Sequence, residues 1–212
     1  MRPTLLLSIL LALAGCKKPF DRDDFNPVCV GKGLESAAAY DPASSAQAVP
    51  VAIVMHYAKA EGWTANTPKR FYANGVPAPS QDNYQTVQLA LCVDQQPGPF
   101  DRDCGDMEGF SATIEPGGNS NATATGTTAV VKAYGSHYVL SVREAKTARV
   151  VATKTVDVKV EHCPILVLGN TAADRSKDYV ELSEDELAAF LAPHLPKAVS
   201  ARLLAARPKG EP

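Results

Sequence analysis

The N-terminal segment decides in which compartment the chain folds, and therefore which covalent bonds can hold the fold together. Arg2 supplies a positive charge, and an apolar run from Leu5 to Leu13 follows it, interrupted only by Ser8. The run is too short to span a bilayer, which needs about 20 apolar residues, but it has the length of the hydrophobic region of a signal peptide. The sequence therefore predicts that residues 1–15 are a signal peptide and that the rest of the chain folds outside the cytoplasm.

The predicted signal peptide ends in Leu13-Ala14-Gly15-Cys16, which resembles the lipobox of bacterial lipoproteins. The resemblance implies that the Cys16 thiol receives diacylglycerol, that cleavage makes Cys16 the N-terminus, and that this N-terminus is acylated, for example with palmitate. One acyl chain binds a bilayer only marginally, whereas two or more anchor a protein stably. The alternative is an ordinary secretory peptide with a chance cysteine at its end. Because Lys17 is not the Asp that retains enterobacterial lipoproteins in the inner membrane, the outer membrane is permitted, on its periplasmic or surface side in a Gram-negative cell.

Export gives the other cysteines a structural role. Once Cys16 is assigned to lipid, Cys29, Cys92, Cys104 and Cys163 remain. An even number of cysteines in an oxidising compartment indicates two disulfides, for which three pairings are possible. Zinc is the alternative ligand, but no two of these cysteines lie two to four residues apart, as a zinc site requires. The sequence therefore favours disulfides.

Composition narrows the range of partners. The chain has 45% hydrophobic residues, enough for a packed core, and a formal net charge of -2. No basic stripe is present to neutralise phosphates, which argues against nucleic acid as a partner. No second apolar stretch reaches membrane-spanning length, so the acyl chains on Cys16 are the expected contact with the bilayer.

Alternating apolar and polar residues predict a mainly β domain, with an antiparallel, sandwich-like arrangement. The clearest signals are residues 87–93 and a hairpin in which residues 138–143 lead into a turn near 144–148 and a strand at 149–160. Residues 51–55 read as a short buried strand. The remaining predicted segments are a lipidated cysteine and tether at 16–28, the β domain at 29–180, an irregular stretch at 62–83 within it, a loop or weak edge strand at 116–128, helices at 181–207 and a tail at 208–212.

The C-terminal segment carries helix signals. Ser183 and Glu186 have the spacing of a capping box, and Pro193 is expected to stop that helix. Pro196 is well placed to open a second helix, whose apolar stripe contains Val199 and Leu203. We expect these short helices to cover the sheet of the domain itself, although they could also dock a partner.

Several fragments of the chain form a recognisable set: Cys29-Val-Gly-Lys-Gly, Ala37-Ala38-Ala39-Tyr40-Asp41-Pro42, residues 87–93, Cys104, residues 142–147 and 150–152, and Cys163-Pro164. Together they resemble an uncharacterised envelope domain of actinobacterial and myxobacterial lipoproteins and membrane proteins. This resemblance implies a fold and the disulfide pairs Cys29–Cys92 and Cys104–Cys163, but no activity. In that domain the hairpin turn usually reads Thr-Gly, whereas here Ala148 occupies the glycine position, so the turn need not keep the same geometry.

The sequence contains no recognisable catalytic motif. The Gly-x-Ser-x-Gly elbow of hydrolases, a phosphate loop and a dinucleotide-binding glycine pattern are all missing. Ser136 and His137 are adjacent, but neighbouring residues on a strand point to opposite faces and would not form a dyad. We therefore expect a non-catalytic module that binds or supports another envelope component. An envelope hydrolase with non-adjacent catalytic residues, or a calcium- or small-ligand-binding lipoprotein, is the alternative.

Two clusters could bind a ligand. An acidic loop at 101–108 could ligate calcium, but the EF-hand pattern requires Asp or Asn where Gly105 stands and Glu where Ala112 stands, so a solvated loop is favoured and no metal or cofactor is expected. Aromatic side chains in the irregular stretch could line a ligand surface or pin that stretch to the sheet. The candidate metal ligands are Asp101, Asp103, Asp106 and Glu108, and the candidate aromatic surface is Trp63, Phe71 and Tyr72.

Overall fold

The computed structural model describes residues 20–58, 60–114, 120–163, 167–168 and 177–206. The predicted signal peptide, Cys16 and the tail at 208–212 lie outside these ranges. The strands are β1 (Val51–His56), β2 (Trp63–Ala65), β3 (Leu89–Ile114), β4 (Ser120–Glu144), β5 (Val150–Val158), β6 (Val167–Leu168) and β7 (Lys177–Tyr179). The helices are α1 (Asn26–Cys29), α2 (Lys69–Ala73), α3 (Glu184–Leu191) and α4 (Lys197–Ala205), with 3-10 turns at Arg22–Phe25, Tyr84–Thr86 and Ala192–His194.

The strands form one mixed sheet in the order β2-β1-β3-β4-β5, to which β6 and β7 add at β3 and β4. The predicted β-rich fold is confirmed, but the expected antiparallel arrangement is wrong for β1, which runs parallel to β3 with Val51 opposite Leu89. Parallel neighbours need a long crossover, and the chain from residue 57 to 88 supplies it. That crossover contains the stretch predicted to be irregular, which in fact holds β2 and α2.

Strands β3 and β4 form a hairpin much longer than the rest of the sheet. Their neighbours β1 and β5 stop early, since β1 ends opposite Asp94 and β5 ends opposite Ser136. Beyond that level the hairpin continues and pairs with the short strands β6 and β7. We call residues 97–114 and 120–136 the arm. Its register shifts at four points between Pro97 and Phe110, as β-bulges cause. The arm includes Ser120 and the residues after it, which the sequence assigned to a loop or weak edge strand.

The sheet is covered on both faces, and neither cover is a second sheet among the described residues. The expected sandwich is therefore not confirmed. On one face the helices pack onto alternate strand residues, in a cluster we call the helix-side core. On the other face the chain before β1 packs, in a cluster we call the N-terminal core. The helix-side core includes Ile53, Leu91, Leu140, Leu191 and Leu203, and the N-terminal core includes Phe25, Val28, Ala52, Val54 and Ala90.

Residues 20–28, assigned from the sequence to a tether, belong instead to the packed domain. Phe25 and Val28 are fully buried, and Asp21 and Asp24 form a capping box around the first 3-10 turn. The Phe20 backbone N–H donates a hydrogen bond of 2.8 Å to the Gln81 side chain. Charged residues made this segment look like a linker, but its apolar residues fill the space beside β1.

Two disulfides join the pairs that the resemblance implied. Cys29–Cys92 links α1 to β3 and closes 63 residues, while Cys104–Cys163 links the arm to the chain after β5 and closes 59. Cys29 and Cys92 are both buried within the N-terminal core. The first disulfide therefore fastens one cover of the sheet to its central strand.

The turn between β4 and β5 contains a residue in the left-handed conformation that usually favours glycine. Ala148 has a φ of 57°, and its N–H donates to the Glu144 carbonyl at 2.8 Å. The Glu144 carboxylate accepts hydrogen bonds from Thr147 and Arg149, and these bonds hold the Glu144 pKa below its ordinary value. The turn therefore holds an alanine in the left-handed conformation.

The C-terminal helices begin where the sequence predicts. The Ser183 hydroxyl accepts the Glu186 N–H at 3.2 Å, which caps α3, and a 3-10 turn containing Pro193 follows it. Arg70 on α2 ion-pairs with Asp185 and donates to the Leu203 carbonyl at 3.2 Å, so one side chain joins three helices. None of the helices in the described ranges has the length and apolar sequence needed to cross a bilayer.

Candidate ligand cavity

A cavity of about 310 Å³ opens between the sheet and the helical layer. Its floor is apolar and consists of Met55, Val93 and Leu187. Strand alternation explains the floor, because Met55 and Val93 share the helix-side face with the core residues Ile53 and Leu91. The cavity is at the small end of the range for ligand sites, about 300–1,000 Å³.

Tyr138 forms one wall of the cavity, and its hydroxyl group both donates and accepts a hydrogen bond. The hydroxyl donates to the Val180 carbonyl at 2.9 Å and accepts the Leu182 N–H at 3.0 Å. Burial, and to a smaller extent the negative charge of Glu181, raises the pKa of Tyr138 to about 12. Tyr138 thus stays neutral at ordinary pH and fixes the chain leading into α3 against the sheet.

Gln95 forms a second wall and joins three segments. It is 5% exposed, and its amide nitrogen donates to Ser136 Oγ at 3.0 Å and to the Val180 carbonyl at 3.1 Å. Its amide oxygen accepts the Ala58 N–H at 3.2 Å. Because buried polar groups are costly when unpaired, these three bonds give Gln95 a fixed orientation.

The rim of the cavity carries charged side chains that are not paired with other described residues. Glu181, Glu184 and Lys69 border the opening and are largely exposed. Within the described part of the chain, none of the three makes a hydrogen bond or ion pair from its side chain. One cation and two carboxylates leave the rim with a net charge of about -1 when all are ionised. The cavity therefore combines an apolar floor with a charged rim.

Two histidine–carboxylate pairs lie on the sheet, and the first borders the cavity through His56. His56 Nδ1 is 2.7 Å from Asp94 Oδ1, and its ring lies 5.5 Å from the Trp63 ring. His137 Nδ1 is likewise 2.7 Å from an Asp157 oxygen, at an exposed position. In the described ranges, neither ring has a hydrogen bond to a serine, threonine or cysteine.

The structure separates the three aromatic residues proposed as a ligand surface. Phe71 is fully buried in the helix-side core, whereas Trp63 packs against the N-terminal core on the opposite face. Tyr72 is 65% exposed. They do not form one surface, because α2 turns Phe71 inward and Tyr72 outward. Tyr57, from the same sequence region, does border the cavity.

The acidic loop at 101–108 is part of the arm. The Asp101 carboxylate accepts the Val160 N–H at 2.8 Å, and the Asp103 carboxylate accepts the Gly105 N–H at 2.9 Å. The side chains of Asp106 and Glu108 lie outside the part of the structure that can be described. Among the described residues, no three His, Cys, Asp or Glu side chains are grouped as a metal site would need.

No family model, curated protein or solved structure matches the chain. The cavity therefore has to be interpreted from its own chemistry. Sequence reasoning missed it because its residues come from five separate segments. Tyr138 was visible only as a member of a strand, Gln95 lies just beyond the strand predicted at 87–93, and nothing in their local sequence marks them as the walls of a cavity.

Proposed function

We propose that the chain is an envelope lipoprotein: lipids on Cys16 hold a non-catalytic binding module at a membrane. The observation that carries the proposal is the pairing of Cys29, Cys92, Cys104 and Cys163 in two disulfides. Disulfides persist in oxidising compartments, and the predicted signal peptide would deliver the chain to one. The pairing also leaves Cys16, at the end of that peptide, as the one cysteine free for lipid.

Metabolic labelling tests the anchor. The chain should incorporate radiolabelled palmitate and sediment with membranes, because two or more acyl chains bind stably. A Cys16→Ser variant should lose the label, and its mature form should no longer sediment with membranes. A Lys18→Ala variant is the matched control and should keep both properties. Absence of label from the unaltered chain would refute the lipoprotein proposal.

The cavity supports small-ligand binding as the second part of the proposal. Its floor suits a short alkyl chain, and the free carboxylates of Glu181 and Glu184 suit a positively charged head group. Lys69 lies on the same rim and opposes a second cation, so we expect a single amine rather than a polyamine. The class of ligand is therefore a small cationic amphiphile.

Calorimetric titration with hexylamine tests this class, with hexanoate as the ligand of opposite charge. Hexylamine should bind and hexanoate should bind at least about tenfold more weakly, since about 1.4 kcal/mol of charge preference gives that ratio. A Glu181→Gln/Glu184→Gln variant should lose the preference. Glu186→Gln, a change on α3 outside the cavity lining, should keep it. Equal binding of both probes by the unaltered protein would contradict the assignment.

A further inference from the structure

The packed domain begins very close to the proposed lipid anchor. Only Lys17, Lys18 and Pro19 separate Cys16 from Phe20. An extended chain spans at most about 3.6 Å per residue, so Phe20 lies within about 14 Å of the Cys16 Cα. The anchor therefore restricts which surface of the domain can face the bilayer.

Phe20 is fixed at one end of the sheet. Its ring stacks on Tyr84 at a centroid distance of 5.1 Å, and its N–H is bonded to Gln81. Tyr84 precedes the first residue of β3, Leu89, by only five positions, and Leu89 is opposite Val51, the first residue of β1. We call this end, where β1 and β3 begin, the base of the sheet. The arm leaves from the other end.

We infer that the base of the sheet faces the lipid headgroups and that the arm points away from the membrane. This inference rests on the proposed lipidation of Cys16. Phe100, on the arm, is eleven residues along β3 from Leu89, which at about 3.3 Å per residue is at most about 36 Å, since the strand bulges between Pro97 and Phe100. The short connection to Cys16 allows the base to approach the bilayer, while the arm remains free to meet a partner on another envelope component.

The charges near the base determine how closely it approaches the lipid bilayer. Lys17 and Lys18 lie between the anchor and the domain, and each contributes about 1 kcal/mol of attraction to an anionic surface. Next to Phe20 the chain exposes Asp21, Arg22 and Asp82, whereas Asp23 lies beside β2, where its carboxylate accepts the Ala65 N–H at 3.4 Å. Carboxylates are repelled by anionic lipid and costly to desolvate. The base therefore rests at headgroup level without inserting into the acyl chains.

Tryptophan quenching tests this orientation in the lipidated, disulfide-bonded protein. The natural Trp63 is the single tryptophan and is replaced by Phe. A new tryptophan is placed at an exposed position, by Asp82→Trp at the base or by Phe100→Trp on the arm. Each protein is bound to phosphatidylcholine vesicles containing phosphatidylglycerol and a nitroxide on either the headgroup or the deep acyl chain.

The headgroup nitroxide should quench the Asp82→Trp protein several-fold more than the Phe100→Trp protein, and the deep nitroxide should quench neither. A Gly-Ser linker of ten residues between Pro19 and Phe20, with an average reach of about 17 Å, should remove much of the difference. Equal quenching of the two positions, or stronger quenching on the arm, in vesicle-bound protein would overturn the orientation alone. Failure of the unaltered lipoprotein to sediment with vesicles would overturn the anchor and the orientation together.

Discussion

At the scale of the residue, the β4–β5 turn places an alanine in a conformation that favours glycine. A left-handed conformation costs an L-residue roughly 1–2 kcal/mol, and Ala148 has a φ of 57°. Its methyl group is also buried against the N-terminal core, where Ala148 is 5% exposed. Backbone strain and methyl burial therefore act in opposite directions at one position.

The Ala148→Gly substitution separates the two effects. Relief of the strain should offset the loss of the buried methyl, worth about 0.8 kcal/mol, so the free energy of unfolding should be unchanged or slightly higher. Ala145→Gly is the matched control, because Ala145 is fully buried in the same turn and does not have a positive φ. That change should lower stability by roughly 1–2 kcal/mol. Urea denaturation of both variants measures the contrast, and equal losses would show that the strain is negligible.

Tyr138 gives the protein a pH dependence at the alkaline end. Its folded-state pKa of about 12 is above the ordinary value of 10.0. Its contribution to stability is therefore fully present below pH 10 and is lost as the pH rises toward 12, because the unfolded chain releases the phenolic proton first.

Alkaline absorbance titration tests this assignment. Subtracting the titration curve of Tyr138→Phe from that of the natural protein should isolate one tyrosine that ionises well above pH 10. The Tyr138→Phe protein should also lose less stability than the natural protein between pH 10 and 12. A difference curve centred near pH 10 would refute the assignment of a raised pKa to Tyr138.

At the scale of the element, the two disulfides close loops of similar length but lie in environments that differ in burial. In the chain-entropy model, closing 63 or 59 residues stabilises the fold by about 4 kcal/mol in either case. Cys29 and Cys92 are buried within the N-terminal core, whereas Cys104 and Cys163 are partly exposed. Removing the first pair should therefore also leave a packing defect.

Paired substitutions distinguish the disulfides. Cys29→Ala/Cys92→Ala should lower the free energy of unfolding more than Cys104→Ala/Cys163→Ala, with each loss in the range of about 2–5 kcal/mol. Guanidinium denaturation of the two variants beside the natural protein measures the difference. If the Cys104→Ala/Cys163→Ala variant were the less stable of the two, the packing around Cys29–Cys92 would contribute little to the free energy of unfolding.

Local sequence signals predicted those elements whose stability is local. The turn at 144–148 and the start of α3 at Ser183 follow from turn and capping chemistry, and the structure confirms both. The direction of β1 could not be predicted, because alternation identifies a buried face and says nothing of the partner strand. The full length of the arm was missed for a related reason: β3 and β4 stabilise each other through pairing, although their sequences contain many glycine and polar residues.

The candidate site was harder to predict than the fold. Gln95 and Tyr138 approach each other through the β3–β4 register, in which they are directly opposite. Val180 then binds both side chains, although it is 42 residues from Tyr138 and 85 from Gln95. Contacts at such separations leave no periodic signal in the sequence. The aromatic residues at 63–72 were predicted to form one ligand surface because they are close in sequence, but in the fold they lie on different faces.

At the scale of the whole molecule, one sheet supports two cores, each closed by a different end of the chain. The N-terminal segment fills one face with Phe25, and the C-terminal helices fill the other with Leu191. Strands β1 and β3 contribute alternate residues to both cores, so loss of either cover exposes apolar strand residues to water. We therefore expect the two cores to unfold together, as small domains usually do.

Two substitutions on opposite faces test this coupling. Phe25→Ala should cost about 3–5 kcal/mol and Leu191→Ala about 2–5 kcal/mol, because both side chains are fully buried. Fluorescence of Trp63 reports on the N-terminal core, and far-UV circular dichroism reports on the whole fold. In urea, both signals should give one common midpoint in the natural protein and should move together in each variant. If Leu191→Ala shifted the dichroism and left the Trp63 midpoint in place, the N-terminal core would be stable without the helices, and the sheet would not couple the two ends of the chain.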